Sequence, residues 1–407
     1  MSSKADIGFK VAAWAQAIQP SIMQKMLESL NNPNMISFAL GLPDSELFPI
    51  NEYHKSIDKI LHASSKVLNY APPIASLKQQ IVKLMATRKV KCSESQIFLT
   101  SGAQQAISIL ARLLLNPGAT IATEALTYPG LLQIVAPFCP EIIGVSIDCT
   151  SGLCLETLED VLSNSKNKPT FFYSIPEGHN PLGVSLTDKQ KKKIAALSRQ
   201  YQVPIIEDDA YGFLNYGSPS IPIRAYEDQS VFYVGTFSKI LAPSFRVGWI
   251  IVPEELIPKL AYIKEGLDIN TTTFGQRIVD DFLSRDILSK SANYMISVYK
   301  ERRDVMLTAI KKHFPKNVKI SVPRSGFFIW VELAENLNTT TLFHKAIEEN
   351  VAFMPSEVFA CNASLVALNG MRLNFSHCNP ATIEKGIEIL GKIIKTELSL
   401  FYKGAGI

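Results

Sequence analysis

Lys239 is the residue whose type and setting point most directly to chemistry. It lies in residues 235–249, directly after a β-branched and aromatic run, and is therefore predicted at the end of a strand. A lysine amine acts as a nucleophile only where its surroundings favour the neutral form. Thr236, Ser238 and Arg246 lie close by in sequence and are side chains that can hold a phosphate dianion. The stretch predicts a covalent lysine beside a phosphate, although taken alone it also fits a solvated lysine.

A second group of polar side chains lies upstream, in residues 203–212. An apolar strand is predicted there to end in Asp208, with Tyr211 just beyond it. Ligands of open α/β sheets lie beyond the carboxyl ends of the strands, so Asp208 and Lys239 are predicted to meet at one edge. Asp208 would keep a pyridine nitrogen protonated, and Tyr211 would donate a hydrogen bond to a ring phenolate oxygen. These groups together predict pyridoxal phosphate (PLP) as the cofactor.

Further stretches carry a resemblance to a known family. The chain resembles the fold-type I, PLP-dependent aminotransferases of class I and II, in particular the branch with the 2-aminoadipate and kynurenine aminotransferases. The matching segments follow the family's order over most of the chain, which makes chance a poor explanation. Besides the two described above, they are residues 41–49, Tyr70 and residues 99–106, 127–130, 178–183 and 370–376.

The resemblance implies an α/β protein of PLP-dependent transferase fold type I. Its large domain would hold a mostly parallel sheet of the seven-stranded type, and its smaller domain would be α+β. The predicted division is an N-terminal arm with part of the small domain (1–50), a large PLP-binding domain (51–275), and a connecting helix with the C-terminal small domain (276–407). Alternating helical and short apolar stretches in the middle of the chain independently predict the parallel sheet. One long helix is expected from Gln276 to His313.

By the same resemblance, the cofactor phosphate would lie at a helix N-terminus formed by Gly102, Ala103 and Gln104. Unpaired N–H groups and the helix dipole favour an anion at such a position. Tyr70 would reach across a homodimer interface to the phosphate in the other subunit. Strand-to-helix punctuation is the alternative interpretation of the glycine turn when it is considered alone.

The resemblance also implies roles around the cofactor ring and the substrate. Tyr128 would stack on the pyridine ring, and Asn180 would join Tyr211 at the phenolate oxygen. Arg372 would bind the substrate α-carboxylate through its planar fork of N–H donors. Gly41 and Asn180 would also contact the substrate.

Two departures from the family pattern limit what the resemblance implies. After Tyr70 the family usually has a glycine before a Leu-Arg pair, whereas residues 71–78 form a shortened stretch without glycine. An unusual loop is therefore expected beside the neighbouring subunit's site. Lys239 and Arg246 are seven residues apart, while aspartate aminotransferase-like members have eight, so aspartate specificity does not carry over safely.

The implied reaction is ping-pong transamination, in which Lys239 holds the cofactor and then moves the proton of the donor α-carbon. The predicted donor is an aromatic, branched-chain or 2-aminoadipate-like amino acid, and the acceptor a 2-oxo acid such as 2-oxoglutarate. Elimination, decarboxylation and synthase chemistry remain alternatives, because the same residues serve them. A regulatory effector domain is less favoured, because the segment before Gly41 lacks room and basic residues for a DNA-binding module.

Composition narrows the class of protein further. The 407 residues, 47% of them hydrophobic, predict a large core and more than one domain, and the net charge of +4 indicates no nucleic-acid partner. The lysines of residues 189–193 are predicted to form the solvent-exposed face of a helix that is capped by Thr187. Six cysteines without metal-site spacing predict a reduced, cytoplasmic protein with no metal. No signal core or membrane-spanning run is found, so no membrane partner is expected.

Overall fold

The computed structural model describes residues 10–16, 18, 32, 34–362 and 367–404. Much of the arm predicted within residues 1–50 therefore lies outside the described residues. The strands are β1 Ile36–Ser37, β2 Ile97–Thr100, β3 Thr120–Glu124, β4 Glu141–Val145, β5 Ile147–Asp148, β6 Gly152–Leu153, β7 Phe172–Ser174, β8 Ile205–Asp208, β9 Val231–Thr236, β10 Gly248–Ile251, β11 Lys319–Ile320, β12 Phe328–Glu332, β13 Val351–Ala352, β14 Met354–Pro355 and β15 Gly370–Asn374.

Helices surround these strands. In chain order they are α1 Ala13–Gln16, α2 Ile50–Ala63, α3 Ala75–Ala86, α4 Ala103–Leu114, α5 Pro129–Val135, α6 Leu155–Ser163, α7 Asp188–Tyr201, α8 Ile257–Asp268, α9 Thr273–Ser284, α10 Ile287–His313, α11 Thr339–Glu348 and α12 Pro380–Gly404. Most of the longer helices pack one apolar face against a core. Helices between the strands are what the alternating pattern of the sequence predicts.

A seven-stranded sheet forms the centre of the larger part of the molecule. Its order is β2-β10-β9-β8-β7-β3-β4, and β10 alone in this sheet runs antiparallel to its neighbours. Every residue of β7, β8 and β9 is buried, because helices cover both faces of the sheet. The predicted mostly parallel seven-stranded sheet is confirmed.

Parallel neighbours bring the carboxyl ends of β7, β8 and β9 to one edge of this sheet. Ser174, Asp208 and Thr236 are the last residues of these three strands. The strands are short, so few residues separate the buried core from the loops beyond the edge. Side chains in those loops can therefore be polar while their backbone is held by the sheet.

A second, four-stranded sheet has the order β11-β12-β15-β14 and is antiparallel throughout. Helix α10 packs along α12 beside it, and β1 pairs in parallel with β13. The segment before residue 50 is thus tied to the C-terminal part of the chain by backbone hydrogen bonds. The domain boundaries at residues 50 and 275 stay a prediction.

The single long helix predicted from Gln276 to His313 is wrong. Two helices, α9 and α10, occupy this stretch, and Asp286 between them has a left-handed φ of 52° that ends the first helix. Arg285, at the break, donates to Asp281 Oδ2 over 2.7 Å and to Glu52 Oε2 over 2.7 Å. The contact with Glu52, which belongs to another helix, is tertiary, and it holds the chain in a turn at a point where helical periodicity continues.

Helix α7 corrects a second expectation. Thr187 caps it in a capping box with Gln190, as predicted. Lys191, however, does not lie on a solvent-exposed face, because its side chain is only 1% exposed and pairs with Glu177. The neighbouring Lys192 and Lys193 are exposed. A buried ion pair of this kind depends on a partner from another element and leaves no periodic signal in the sequence.

Candidate active site

A cavity of about 360 Å³ opens beyond the carboxyl edge of the large sheet. Residues that follow strands of the seven-stranded sheet line it, together with residues from the loop after β1 and from strand β15 of the four-stranded sheet. Of the residues predicted from the sequence, the lining contains Gly41, Ala103, Gln104, Tyr128, Asn180, Asp208, Tyr211, Thr236, Ser238, Lys239, Arg246 and Arg372. Gly102 and Tyr70 are the two predicted residues outside this lining.

Lys239 lies in the turn that follows β9, and its amine reaches into the cavity. Its Nζ donates a hydrogen bond to the carbonyl oxygen of Gly41 over 2.8 Å. Burial lowers the pKa of Lys239 to about 8, and the positive charges of Arg372 and Arg246 act in the same direction while Asp208 opposes them. A larger share of this amine is neutral near pH 8 than of an exposed lysine, as a covalent role requires.

This lowered pKa predicts the pH dependence of covalent PLP attachment to the cofactor-free protein. Only the neutral amine attacks, so the initial rate should rise as the pH increases through about 8 and then level off. Stopped-flow absorbance from about pH 6.5 to about pH 10 measures it, with Lys239→Ala as the blank. A rate that keeps rising to the top of that range would mean that the amine behaves as an ordinary exposed lysine.

Asp208 ends β8, is buried and lines the cavity. Its Oδ2 accepts a hydrogen bond from the Tyr173 hydroxyl over 2.6 Å, whereas Oδ1 has no partner among the described residues. Burial raises the pKa of Asp208 to about 6, and the charges of Asp209 and Glu124 add to the rise. A buried carboxylate oxygen without a donor is costly. A protonated ring nitrogen would supply that donor, and this is the first observation that fits PLP.

The N-terminus of α4 forms an anion cradle above the sheet edge. No side chain caps this helix, and Gly102 at its N-cap has φ of +89°. A Cβ atom at Gly102 would lie 2.8 Å from Arg246 Nη2, so the backbone is left open only because glycine stands there. Arg246 itself donates to the carbonyl oxygen of Ser101 over 2.6 Å. Free helix N–H groups beside a guanidinium fit a phosphate.

Two hydroxyls in the lining of the same cavity, those of Thr236 and Ser238, add further hydrogen-bond donors. Thr236 Oγ1 donates to Ser238 Oγ over 3.0 Å, and the Ser238 N–H donates to Thr236 Oγ1 over 3.2 Å. Both residues line the cavity together with Lys239. The amine, the hydroxyls and the cradle therefore converge as the sequence predicts.

Aromatic side chains hold the walls of the cavity. The Tyr128 hydroxyl donates to Gln104 Oε1 over 2.9 Å, which ties this ring to the first turn of α4. The Tyr211 ring packs edge-on against Phe327 and Phe328, with centroids 5.4 and 5.7 Å away. Burial raises the pKa of both tyrosines, so their hydroxyls stay protonated donors.

Arg372 lies in β15, is buried and lines the cavity. Its Nη1 donates to Asn180 Oδ1 over 2.6 Å and its Nη2 to the carbonyl oxygen of Ala39, while Nε has no partner in the described part of the chain. The guanidinium lies 4.2 Å from the ring centre of Phe328 and 4.8 Å from that of Phe359. Burial lowers the pKa of Arg372 to about 10. An oriented, desolvated guanidinium is suited to a carboxylate ligand.

Tyr70 lies elsewhere. Its side chain is 78% exposed and lines a separate groove with residues 270–274. It therefore does not reach the cavity of its own chain, and its role in a neighbouring subunit stays a prediction.

Sequence reasoning missed several residues of this site. Tyr173 is absent from the predicted site residues, although a tyrosine near the end of an apolar strand needs a hydrogen-bond partner and is a recognisable signal. Phe328 and Phe359, which flank Arg372, come from distant segments and carry no local signal. These three side chains lie behind residues of the lining, whereas the unpredicted residues of the lining itself are Leu40, Leu42, Ile175, Ala210 and Pro243.

Fold and site together define a PLP-dependent enzyme of fold type I. The chain belongs to the aminotransferase class I and II family, whose sequence profile matches residues 33–390. It is thus a transaminase, and the predicted family, enzyme class and cofactor are confirmed. Among the described residues, no helix combines the length and apolar character needed to cross a membrane.

Individual relatives cover nearly the whole chain. Aromatic-amino-acid aminotransferase 1 of Thermococcus litoralis is 35% identical over 94% of this chain and 94% of its own length. The 2-aminoadipate transaminase of Thermus thermophilus is 31% identical over 96% of this chain and all of its own. A solved Pyrococcus horikoshii kynurenine aminotransferase, in complex with PMP, KYN as substrates and KYA as products, has 33% identity and a TM-score of 0.91, covering 97% of this chain and 99% of that one.

Proposed function

We propose that this transaminase moves the α-amino group of an aromatic, branched-chain or 2-aminoadipate-like amino acid to a 2-oxo acid such as 2-oxoglutarate. The observation that carries the proposal is the convergence of Lys239, Asp208 and Arg372 on one cavity. The activities named for the relatives above agree with this range of donors. Two half-reactions in the same cavity would make the kinetics ping-pong.

Each converging residue has a proposed task. When bound, PLP supplies an electron-withdrawing ring that makes the donor α-carbon acidic. Asp208 holds the positive charge of the ring nitrogen, and Arg372 with Asn180 binds the donor carboxylate. The neutral Lys239 amine would accept the α-proton of the donor on Nζ and hold it on the same face for its return.

The remaining proposed contacts hold the cofactor in place. Gly102, Ala103 and Gln104 offer backbone N–H donors to its phosphate. Three side chains that carry a charge or a hydroxyl assist them. Tyr128 covers the ring, and Tyr211 with Asn180 faces its phenolate oxygen. The phosphate-binding side chains are Thr236, Ser238 and Arg246.

The cavity lining favours uncharged donors within the proposed range. Its cationic residues in the described structure are Lys239, Arg246 and Arg372, and each already has a proposed task. Leu40, Leu42 and other apolar side chains make up much of the rest of the lining. A second carboxylate, on a donor such as 2-aminoadipate or on an acceptor such as 2-oxoglutarate, would therefore lose hydration without a further cation among these residues, so both half-reactions should favour substrates with one carboxylate.

The expected result is a kcat/KM for phenylalanine or leucine about tenfold above that for 2-aminoadipate. The test mixes holoenzyme with each amino acid without an acceptor and follows the conversion of the PLP absorption band to that of pyridoxamine phosphate. Transamination should release one oxo acid per site and then stop until a 2-oxo acid is added. Continuous oxo-acid release without an acceptor would instead indicate elimination chemistry, and a preference for 2-aminoadipate would refute the preference for uncharged donors while leaving the wider donor range in place.

We also propose a homodimer in the cytoplasm. Tyr70 and the 68% exposed Leu68 share a groove with residues 270–274, and a second copy of the chain would cover them. All six cysteines are free thiols, as in a reducing compartment. The mass in solution tests the first proposal and cell fractionation the second.

A further inference from the structure

The two neighbouring acids at the end of β8 have different surroundings. Asp209 pairs with Arg88, and its Oδ2 also accepts a hydrogen bond from the Tyr233 hydroxyl over 2.8 Å. Asp208 has no arginine or lysine within ion-pair distance among the described residues, and the Tyr173 hydroxyl is the donor that reaches it. The charge of Asp209 is therefore balanced by Arg88. Asp208, in contrast, has one phenol hydroxyl as its hydrogen-bond donor.

Tyr173 is held firmly enough to orient a carboxylate. It belongs to β7, is fully buried, and pairs in register with Ile206 two residues before Asp208 on the adjacent strand. An ionised carboxylate can only accept, so the phenol must donate in this bond. Burial raises the pKa of Tyr173 well above its usual value, and the nearby carboxylates add to the rise. The hydroxyl consequently keeps its proton at any pH at which the enzyme works.

The charges around Asp208 make this hydrogen bond important. Asp209 and Glu124 are buried carboxyl groups that disfavour a charge on Asp208, and Lys239 is the cation that favours it. Glu124 is itself engaged, because its Oε1 accepts from the Ser174 hydroxyl over 2.6 Å and the Ile175 N–H over 3.1 Å. The Tyr173 hydroxyl is therefore the uncharged group that stabilises an ionised Asp208.

We propose that Tyr173 is a positioning residue for the reaction. It engages Oδ2 of Asp208, favours the ionised carboxylate and leaves Oδ1 as the oxygen available to a protonated ring nitrogen. The inference rests on the role proposed above for Asp208. A purely structural Tyr173 would fill the core equally well as phenylalanine and would leave the electronic state of the cofactor unchanged.

The chain offers a matched control for this proposal. Tyr233 lies on the adjacent strand β9, is fully buried and donates the same kind of hydrogen bond to the neighbouring Asp209. Tyr233→Phe removes one buried hydroxyl beside an acid that Arg88 still neutralises. Any difference between Tyr173→Phe and Tyr233→Phe therefore reports on Asp208 rather than on the loss of a buried hydroxyl.

The experiment titrates the visible absorption band of the holoenzyme with pH and measures PLP dissociation for wild type, Tyr173→Phe, Tyr233→Phe and Asp208→Asn. A positive ring nitrogen lowers the pKa of the cationic nitrogen by which Lys239 holds the cofactor, so weaker support from Asp208 raises the titration midpoint. The other charged groups that act on Asp208 (Asp209, Glu124 and Lys239) and those that act on Lys239 (Arg246 and Arg372) are unchanged in all variants. Thermal unfolding of each variant confirms that it folds.

Tyr173→Phe is expected to raise the midpoint by roughly half a unit to one unit and to weaken PLP binding about tenfold. Asp208→Asn should shift both quantities further, and Tyr233→Phe should match wild type within about twofold. If Asp208→Asn shifts the band and folded Tyr173→Phe does not, the inference is overturned and the proposed function stands. If neither variant shifts it, the role of Asp208 itself is wrong.

Discussion

Replacing Lys239 by alanine is expected to lower kcat by at least about 10⁴-fold, because the covalent anchor and the proton carrier are lost together. The variant should also bind PLP more weakly, since only non-covalent contacts remain. Single-turnover mixing with a good donor amino acid measures the proton-transfer step directly. Turnover near that of wild type would remove Lys239 from the proposed mechanism.

Two controls separate lost chemistry from lost folding in this variant. Lys239→Arg keeps a positive charge but offers no amine that can become neutral, so it should be as inactive as the alanine variant. A small primary amine added to Lys239→Ala should restore part of the proton transfer, because the truncated side chain leaves room beside the reacting carbon. Rescue of Lys239→Ala and not of Lys239→Arg would locate the defect at the amine.

Replacing Arg372 by alanine should lower kcat/KM by about 10²-fold for every amino acid, mainly through a higher KM. The reason is that Arg372 is desolvated and oriented by Asn180 and by two phenyl rings before the substrate arrives. Its loss removes a preorganised, charge-assisted contact and leaves the substrate carboxylate in an apolar setting. Steady-state kinetics with several donors measures the effect, and an unchanged KM would contradict the carboxylate role.

Arg303 provides the matched control for Arg372. Its guanidinium also lies over an aromatic ring, 4.9 Å from the centre of Tyr216, but it does not line the cavity. Arg303→Ala should leave KM within about twofold of wild type. Arg372→Lys should fall between wild type and alanine, because an ammonium retains the charge and lacks the two-pronged geometry. A result in which Arg303→Ala and Arg372→Ala behave alike would indicate a general loss of packing.

Much of the site was predictable because its residues follow strands in a parallel sheet. Asp208 and Lys239 are far apart in sequence, yet each comes at or just after a carboxyl strand end, and adjacent parallel strands bring such ends together. The glycine at position 102 is informative for a similar reason, since strand, glycine and helix start form one local unit. Local patterns of this kind can be recognised in the sequence without the structure.

Other features were not predictable, because they depend on contacts between distant segments. The helix break at Asp286 follows Arg285, whose partners include Glu52 on another helix. The burial of Lys191 requires Glu177 in a separate loop. In both cases the local pattern is that of an ordinary helix, and tertiary electrostatics overrides it.

By itself, the sequence determined the class of this protein: a parallel sheet, a lysine and an aspartate at its carboxyl edge, and a glycine turn that begins a helix. Those features are encoded locally, in hydrophobic runs and in the residues that end them. Only the tertiary structure decided the electrostatic state of the site. The pKa values of Lys239 and Asp208, and the hydrogen bond from Tyr173, arise from burial among groups that the chain brings together only on folding.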